Sequence, residues 1–218
     1  MIQIINDCAH LPRGAIGQVR RSLTWVNPVD LDGVNFIRLW GDLPPLTEQS
    51  PNSLRVAQKE GHKVFGLYKP AEAGLPAHIM LVMNSIYWGV PSIYWRTGVP
   101  TLLIARNLAH EVAHHLVAKR GYIFEHNERR KKDTYEEVMA DSYAAGVIRN
   151  MQRRWYYRLA QWLIKDLADH HYIAGMLDWK EENYKAAAEH WHKAWCLNRD
   201  LKEAWYWYER AKAMSSPE

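Results

Sequence analysis

Over the first hundred residues the apolar positions come in runs of strand length. Val34 to Trp40 (VNFIRLW), Lys63 to Tyr68 (KVFGLY) and His78 to Met83 (HIMLVM) are β-rich, and turn signals separate them. Asp32-Gly33 precedes the first run, prolines crowd the loop from Gly41 to Pro51, and Pro70, Gly74 and Pro76 precede the last. Residues 11 to 24 carry a weak helical pattern ahead of the strands. Ser85 to Pro100 repeats Ser-Ile-Tyr-Trp seven residues apart. That interval is too short for a repeat array, so the segment reads as a loop or irregular strand.

From Thr101 the period becomes helical. Thr101 follows Pro100 and is placed to cap, and Ala105, Leu108, Ala109, Val112, Ala113, Leu116 and Val117 form a stripe at i, i+3, i+4 that ends at Gly121. The basic run Arg129 to Lys132 reads as a solvated loop. A second helix is expected from Asp133 or Thr134 through VMADSYAAGVIRNM, with acidic residues in its first turn. Beyond residue 150 the pattern is helical without strand signals.

Composition changes this picture in one place. Of 11 tryptophans, Trp155, Trp162, Trp179, Trp191, Trp195, Trp205 and Trp207 lie in the last third, which marks a separate region. The predicted organisation is therefore a domain over 1–150 and a helical extension over 151–218. A formal charge of +4 is too small to argue for nucleic acid. Cys8 and Cys196 are far apart and in no metal-type pairing, which fits free thiols in a reducing compartment. No segment approaches eighteen uninterrupted apolar residues, so the expectation is a cytoplasmic protein with neither nucleic-acid nor membrane partners.

The chemistry lies in the first long helix, at His110-Glu111-Val112-Ala113-His114. Residues four apart stack on one helix face, so both imidazoles can reach one zinc ion at about 2.0 to 2.1 Å. Glu111 is not aimed at the ion but is placed as a base for its bound water, the catalytic role. His115, about 100° further round, is a poorer ligand. A hydrolytic zinc needs three protein donors and one open position. In Tyr135-Glu136-Glu137-Val138-Met139-Ala140-Asp141, Glu137 and Asp141 share a face. That arrangement makes Glu137 the third metal ligand and Asp141 an acceptor for the remaining N–H of a ligating histidine. Glu136 is expected to face solvent.

HEVAH followed by EVMAD resembles the gluzincin pattern of thermolysin-type enzymes, in which HExxH is completed by ExxxD on a following helix. EVMADSYAA is similar to the glutamate helix of the HtpX-like and CAAX-prenyl endopeptidases and of the ImmA/IrrE regulatory peptidases. The resemblance covers roughly residues 34 to 150 and implies an α+β zincin-like domain: a short mixed sheet, the HExxH helix and the glutamate helix. It implies zinc-dependent peptide hydrolysis on a peptide or protein substrate. The oxyanion-stabilising residue of that clan has no motif match here; Tyr122, His126 and Tyr143 are the candidates.

Gly175, Tyr184, Ala187, Trp191, Ala194 and Leu197-Asn198-Arg199-Asp200 are similar to one tetratricopeptide repeat, with Arg199 where proline is usual. An all-α TPR-like extension that binds a protein partner through 151–218 is one expectation, and a supporting helical hairpin is the other. The competing function is a non-catalytic, zinc-containing interaction protein.

Overall fold

The computed structural model describes residues 2–42, 63–72, 74–120 and 129–215, with the side chains of 129–134 left aside. It is a mixed α+β structure that divides into two compact units, Met1–Tyr87 with Pro100–Arg153, and Trp88–Val99 with Arg154–Glu218.

The first unit is built on four strands: β1 (Gln3–Asn6), β2 (Phe36–Trp40), β3 (Gly66–Lys69) and β4 (His78–Val82). Their order is β1-β2-β4-β3. β1 pairs parallel with β2 and β2 with β4, whereas β3 runs antiparallel to β4. β4 lies between two neighbours and is buried along its whole length, which is why HIMLV reads as a continuous apolar run. In β2 only alternate positions, Ile37 and Leu39, are buried. The β-rich runs thus coincide with β2, β3 and β4, and β1 lies outside them.

The chain also forms helices α1 (Ala15–Leu23), α2 (Met83–Tyr87), α3 (Gly98–Arg120, which belongs to the first unit from Pro100 onward) and α4 (Arg129–Met151), and a 3-10 turn at Pro28–Leu31. The duplicated Ser-Ile-Tyr-Trp segment is no irregular strand: α2 covers its first copy, and Ser92–Tyr94 forms one turn of 3-10 helix. α3 begins at Gly98, so Thr101 sits inside the helix, fully buried, and its carbonyl accepts the Ser22 hydroxyl at 3.1 Å instead of capping. On α3 the residues Leu102, Ile104, Leu108 and Val112 are buried, and Leu116 only partly. α4 starts at Arg129, which puts the basic run in a helical first turn where a loop was expected. The remainder of the proline-rich loop beyond Asp42, the helix stop at Gly121, Tyr122 and His126 lie outside the described residues.

In the second unit α5 (Trp155–Lys180), α6 (Tyr184–Leu197) and α7 (Lys202–Ser215) follow one another with short connections. Ala187, Ala188, Trp191, Tyr208 and Ala211 form the core, and Tyr172, Trp179, Trp205 and Trp207 pack against it. Trp191 is the centre. Its ring stacks on Trp207 at 5.5 Å between centroids, lies 5.8 Å from Trp179, and donates its indole N–H to the Tyr172 carbonyl. Gly175 of α5 makes room for it, since a Cβ there would fall 2.8 Å from the indole nitrogen. The small and aromatic positions of the repeat-like pattern therefore mark one close helix–helix packing. Both cysteines are buried free thiols. Among the described residues, no helix is long and apolar enough to cross a membrane.

Candidate metal centre

The face of α3 that carries His110 and His114 meets the Glu137 face of α4. His110 Nε2 lies 3.2 Å from His114 Nε2 and 3.3 Å from Glu137 Oε2, and His114 Nε2 lies 3.5 Å from Glu137 Oε1. Four donors arranged tetrahedrally at zinc bond lengths are separated by about 3.3 to 3.4 Å along each edge. One nitrogen from each histidine and a carboxylate oxygen of Glu137 thus approach the spacing of one face of such a tetrahedron, and among the described residues these three side chains are the group able to hold an ion. Two imidazole nitrogens and one carboxylate oxygen suit several divalent first-row metals, zinc among them. The side chain of Glu137 is 60 % exposed, so the cluster opens to solvent.

Asp141, one turn after Glu137, accepts from His110 Nδ1 at 3.1 Å. That bond fixes the proton on Nδ1 and leaves Nε2 as the donor atom. Burial works against charge on His110. The hydrogen bonds to Asp141 and Glu137, with the charges of Glu111 and Glu137, outweigh it and raise the imidazole to about 9. His114 goes the other way, lowered by burial and then by the charge on His110. The His110 hydrogen bond holds Glu137 below its ordinary value. His110 is thus the site where a proton and a metal compete.

Glu111 points away from this face of the helix. It is buried, and the backbone N–H of Tyr68 on β3 donates to its Oε2 at 2.7 Å. Burial is the main cause that pushes its carboxyl up to about 7, opposed by the charge on His110 and the Tyr68 bond. β3 lies so close that a Cβ on Gly66 would come within 2.8 Å of Glu111 Cγ. One helical turn on, buried His115 repeats the contact. Its Nε2 donates to the Asp32 carbonyl at 2.9 Å, which leaves Nδ1 to accept the Tyr68 hydroxyl at 3.1 Å. Glu111 and His115 are four apart on a helix, and Gly66 and Tyr68 two apart on a strand. Both spacings advance roughly 6 to 7 Å, so the two rows match.

His110, His114 and Glu137 thus converge, Asp141 supports His110, and Glu111 sits beside them on the strand side of α3. Glu136 is half-buried where solvent exposure was expected. The hydroxyl of Tyr143 donates to Asp30 at 2.6 Å, so this oxyanion candidate is committed elsewhere. Sequence reasoning missed Gly66, Tyr68 and His115 as the neighbours of Glu111. The available signal was the glycine inside KVFGLY, because glycine within a strand often marks close approach of another group.

No protein-family model, no curated protein and no solved structure matches this chain. The functional reading accordingly rests on its own residues.

Proposed function

We propose that the chain is a zinc-dependent metallopeptidase of gluzincin type, with a zincin-like catalytic domain and a TPR-like helical extension. One observation carries the reading: a buried carboxylate, Glu111, lies on the same helix between two histidines that form a three-donor cluster with Glu137. Zinc, held by His110, His114 and Glu137, would supply Lewis acidity toward a peptide carbonyl and toward water. Glu111, raised to about 7, can both take a proton at its carboxylate and return it to a leaving amine near neutral pH. The Tyr68 amide holds that carboxylate in one place, and Asp141 holds the His110 ring. The substrate class is a peptide or protein, and an ImmA/IrrE-like regulatory peptidase falls within the same chemistry.

A second reading has its own support. Glu111 accepts a backbone N–H of β3, so it also serves as a buried tie between helix and strand. On that account the chain is a non-catalytic zinc protein that engages a partner through 151–218. Glu111→Gln separates the two, because an amide oxygen still accepts from Tyr68 while the proton-transfer group is gone. The expected result is about one zinc per chain with cleavage of a mixed peptide library reduced roughly 10²- to 10⁴-fold. Equal cleavage by wild type and fully metallated Glu111→Gln would remove the mechanism. Metal retained by His110→Ala and Glu137→Ala would remove the site.

A further inference from the structure

The first three turns of α5 present a surface that the metal centre does not use. Trp155 is 69 % exposed, Trp162 60 %, Leu159 49 % and Tyr156 43 %. At 100° per residue, Trp155, Leu159 and Trp162 fall within about 60° of one another around the helix, and exposed Arg154, Arg158 and Lys165 line one edge within about 40°. Residues 154 to 165 (RWYYRLAQWLIK) contain no acidic side chain; exposed Asp166 follows on the same face one turn after Trp162, and exposed Ile173 and Leu177 continue that face beyond it. The opposite side of the same turns is buried through Tyr157, Ala160 and Ile164.

We propose that this face, centred on Trp155 and Trp162 and edged by Arg154, Arg158 and Lys165, docks the protein peripherally on an anionic membrane surface. The charge decides the occupant. A basic edge beside an apolar centre complements acidic headgroups above acyl chains, and indole and phenol rings settle at that boundary with their apolar body inward and their polar atom in the headgroups. Shape agrees, because one convex helix offers no groove to a folded partner, whereas a fluid bilayer surface accommodates it. The absence of a spanning helix concerns insertion across a bilayer and leaves contact with its surface open.

The test is co-sedimentation of the full chain with phosphatidylcholine vesicles and with mixed phosphatidylcholine–phosphatidylserine vesicles, with folding monitored by circular dichroism. Wild type is expected to pellet with the mixed vesicles, far less with phosphatidylcholine alone, and less as salt rises. Trp155→Ser combined with Trp162→Ser, and separately Arg154→Glu combined with Arg158→Glu, should each weaken binding at least about tenfold while leaving the helical spectrum intact. Folded wild type that pellets with neither vesicle overturns the proposal, as does binding unaffected by the tryptophan pair. A dimer that the tryptophan pair abolishes, in protein that ignores vesicles, assigns the face to a second copy and also overturns it.

Discussion

Two glycines in this molecule face a large side chain at the same distance and for different ends. A Cβ on Gly66 would come within 2.8 Å of Glu111, and a Cβ on Gly175 within 2.8 Å of Trp191. At Gly66 the close approach brings a backbone amide of β3 to a buried carboxylate, where burial raises the proton affinity and the amide partly offsets that rise. At Gly175 it admits an indole into a helix pair and fills the core with apolar surface. The same backbone device therefore tunes a titratable group in one unit and packs a hydrophobic core in the other. A buried charge needs a specific donor, and a buried indole needs mainly volume and one acceptor.

The difference can be broken most sharply from the packing side. Trp191→Ala removes the centre of the aromatic cluster and should cost about 3 to 5 kcal/mol in urea unfolding followed by tryptophan fluorescence. A loss below about 1 kcal/mol would show that Trp179 and Trp207 collapse to fill the space.

Metal acts on the other unit. At a free zinc concentration of about 100 times the dissociation constant, binding adds roughly 2.7 kcal/mol to the folded state. Amide exchange should slow in α3 and α4, with α6 and α7 unchanged and the His110→Ala variant insensitive. Equal slowing of α6 would mean that the ion acts on the whole chain and not on the cluster alone.

Gly66→Ala is the smaller perturbation of the same region, expected to cost about 1 to 3 kcal/mol because Glu111 is pinned by the Tyr68 amide and cannot swing aside. Zinc stoichiometry should survive while the Glu111-dependent rate falls. Unchanged stability and rate would show that β3 yields instead.

The smallest effect concerns pH in the second unit. His171 on α5 donates from Nε2 to the Gly89 carbonyl (3.3 Å), and its Nδ1 faces His190 Nδ1 of α6 at 3.1 Å. Asp178 lies 3.7 Å from the far nitrogen of His190, and Lys193 and His170 add positive charge near His171. Burial first, then the charges of His190, Lys193 and His170, lower the His171 pKa below its ordinary 6.5 against the opposing Gly89 hydrogen bond. As pH falls through that value the unfolded chain takes the proton before the folded one. The stability contributed by neutral His171 is therefore complete above about pH 6.5 and declines below it. Thermal unfolding between about pH 7.5 and pH 5 should show this decline, and His171→Asn should flatten it. An identical slope in the variant would place the acid sensitivity elsewhere.

Local spacing made part of this legible without coordinates. HEVAH fixes two imidazoles on one helix face whatever the rest of the chain does, because the helical repeat is a local property. EVMAD does the same for Glu137 and Asp141. The runs from Val34, Lys63 and His78 announced strands, although not that β4 is buried throughout while β2 is buried only at alternate positions, and the small and aromatic positions from Gly175 to Ala194 announced a helical pairing. The α+β character followed from those runs.

Tertiary structure alone decided what meets what. Nothing local brings α4 against α3 so that Glu137 closes a triangle with His110 and His114. Nothing in KVFGLY says that its strand pairs antiparallel at the sheet edge and lays Gly66 and Tyr68 over Glu111 and His115. Tyr143, one of three oxyanion candidates in the sequence, donates its hydroxyl to Asp30. The physical reason is range. A helix fixes which residues share its face through hydrogen bonds four residues long, whereas donors from separate elements meet only when the whole chain has packed and distant segments have lost their freedom.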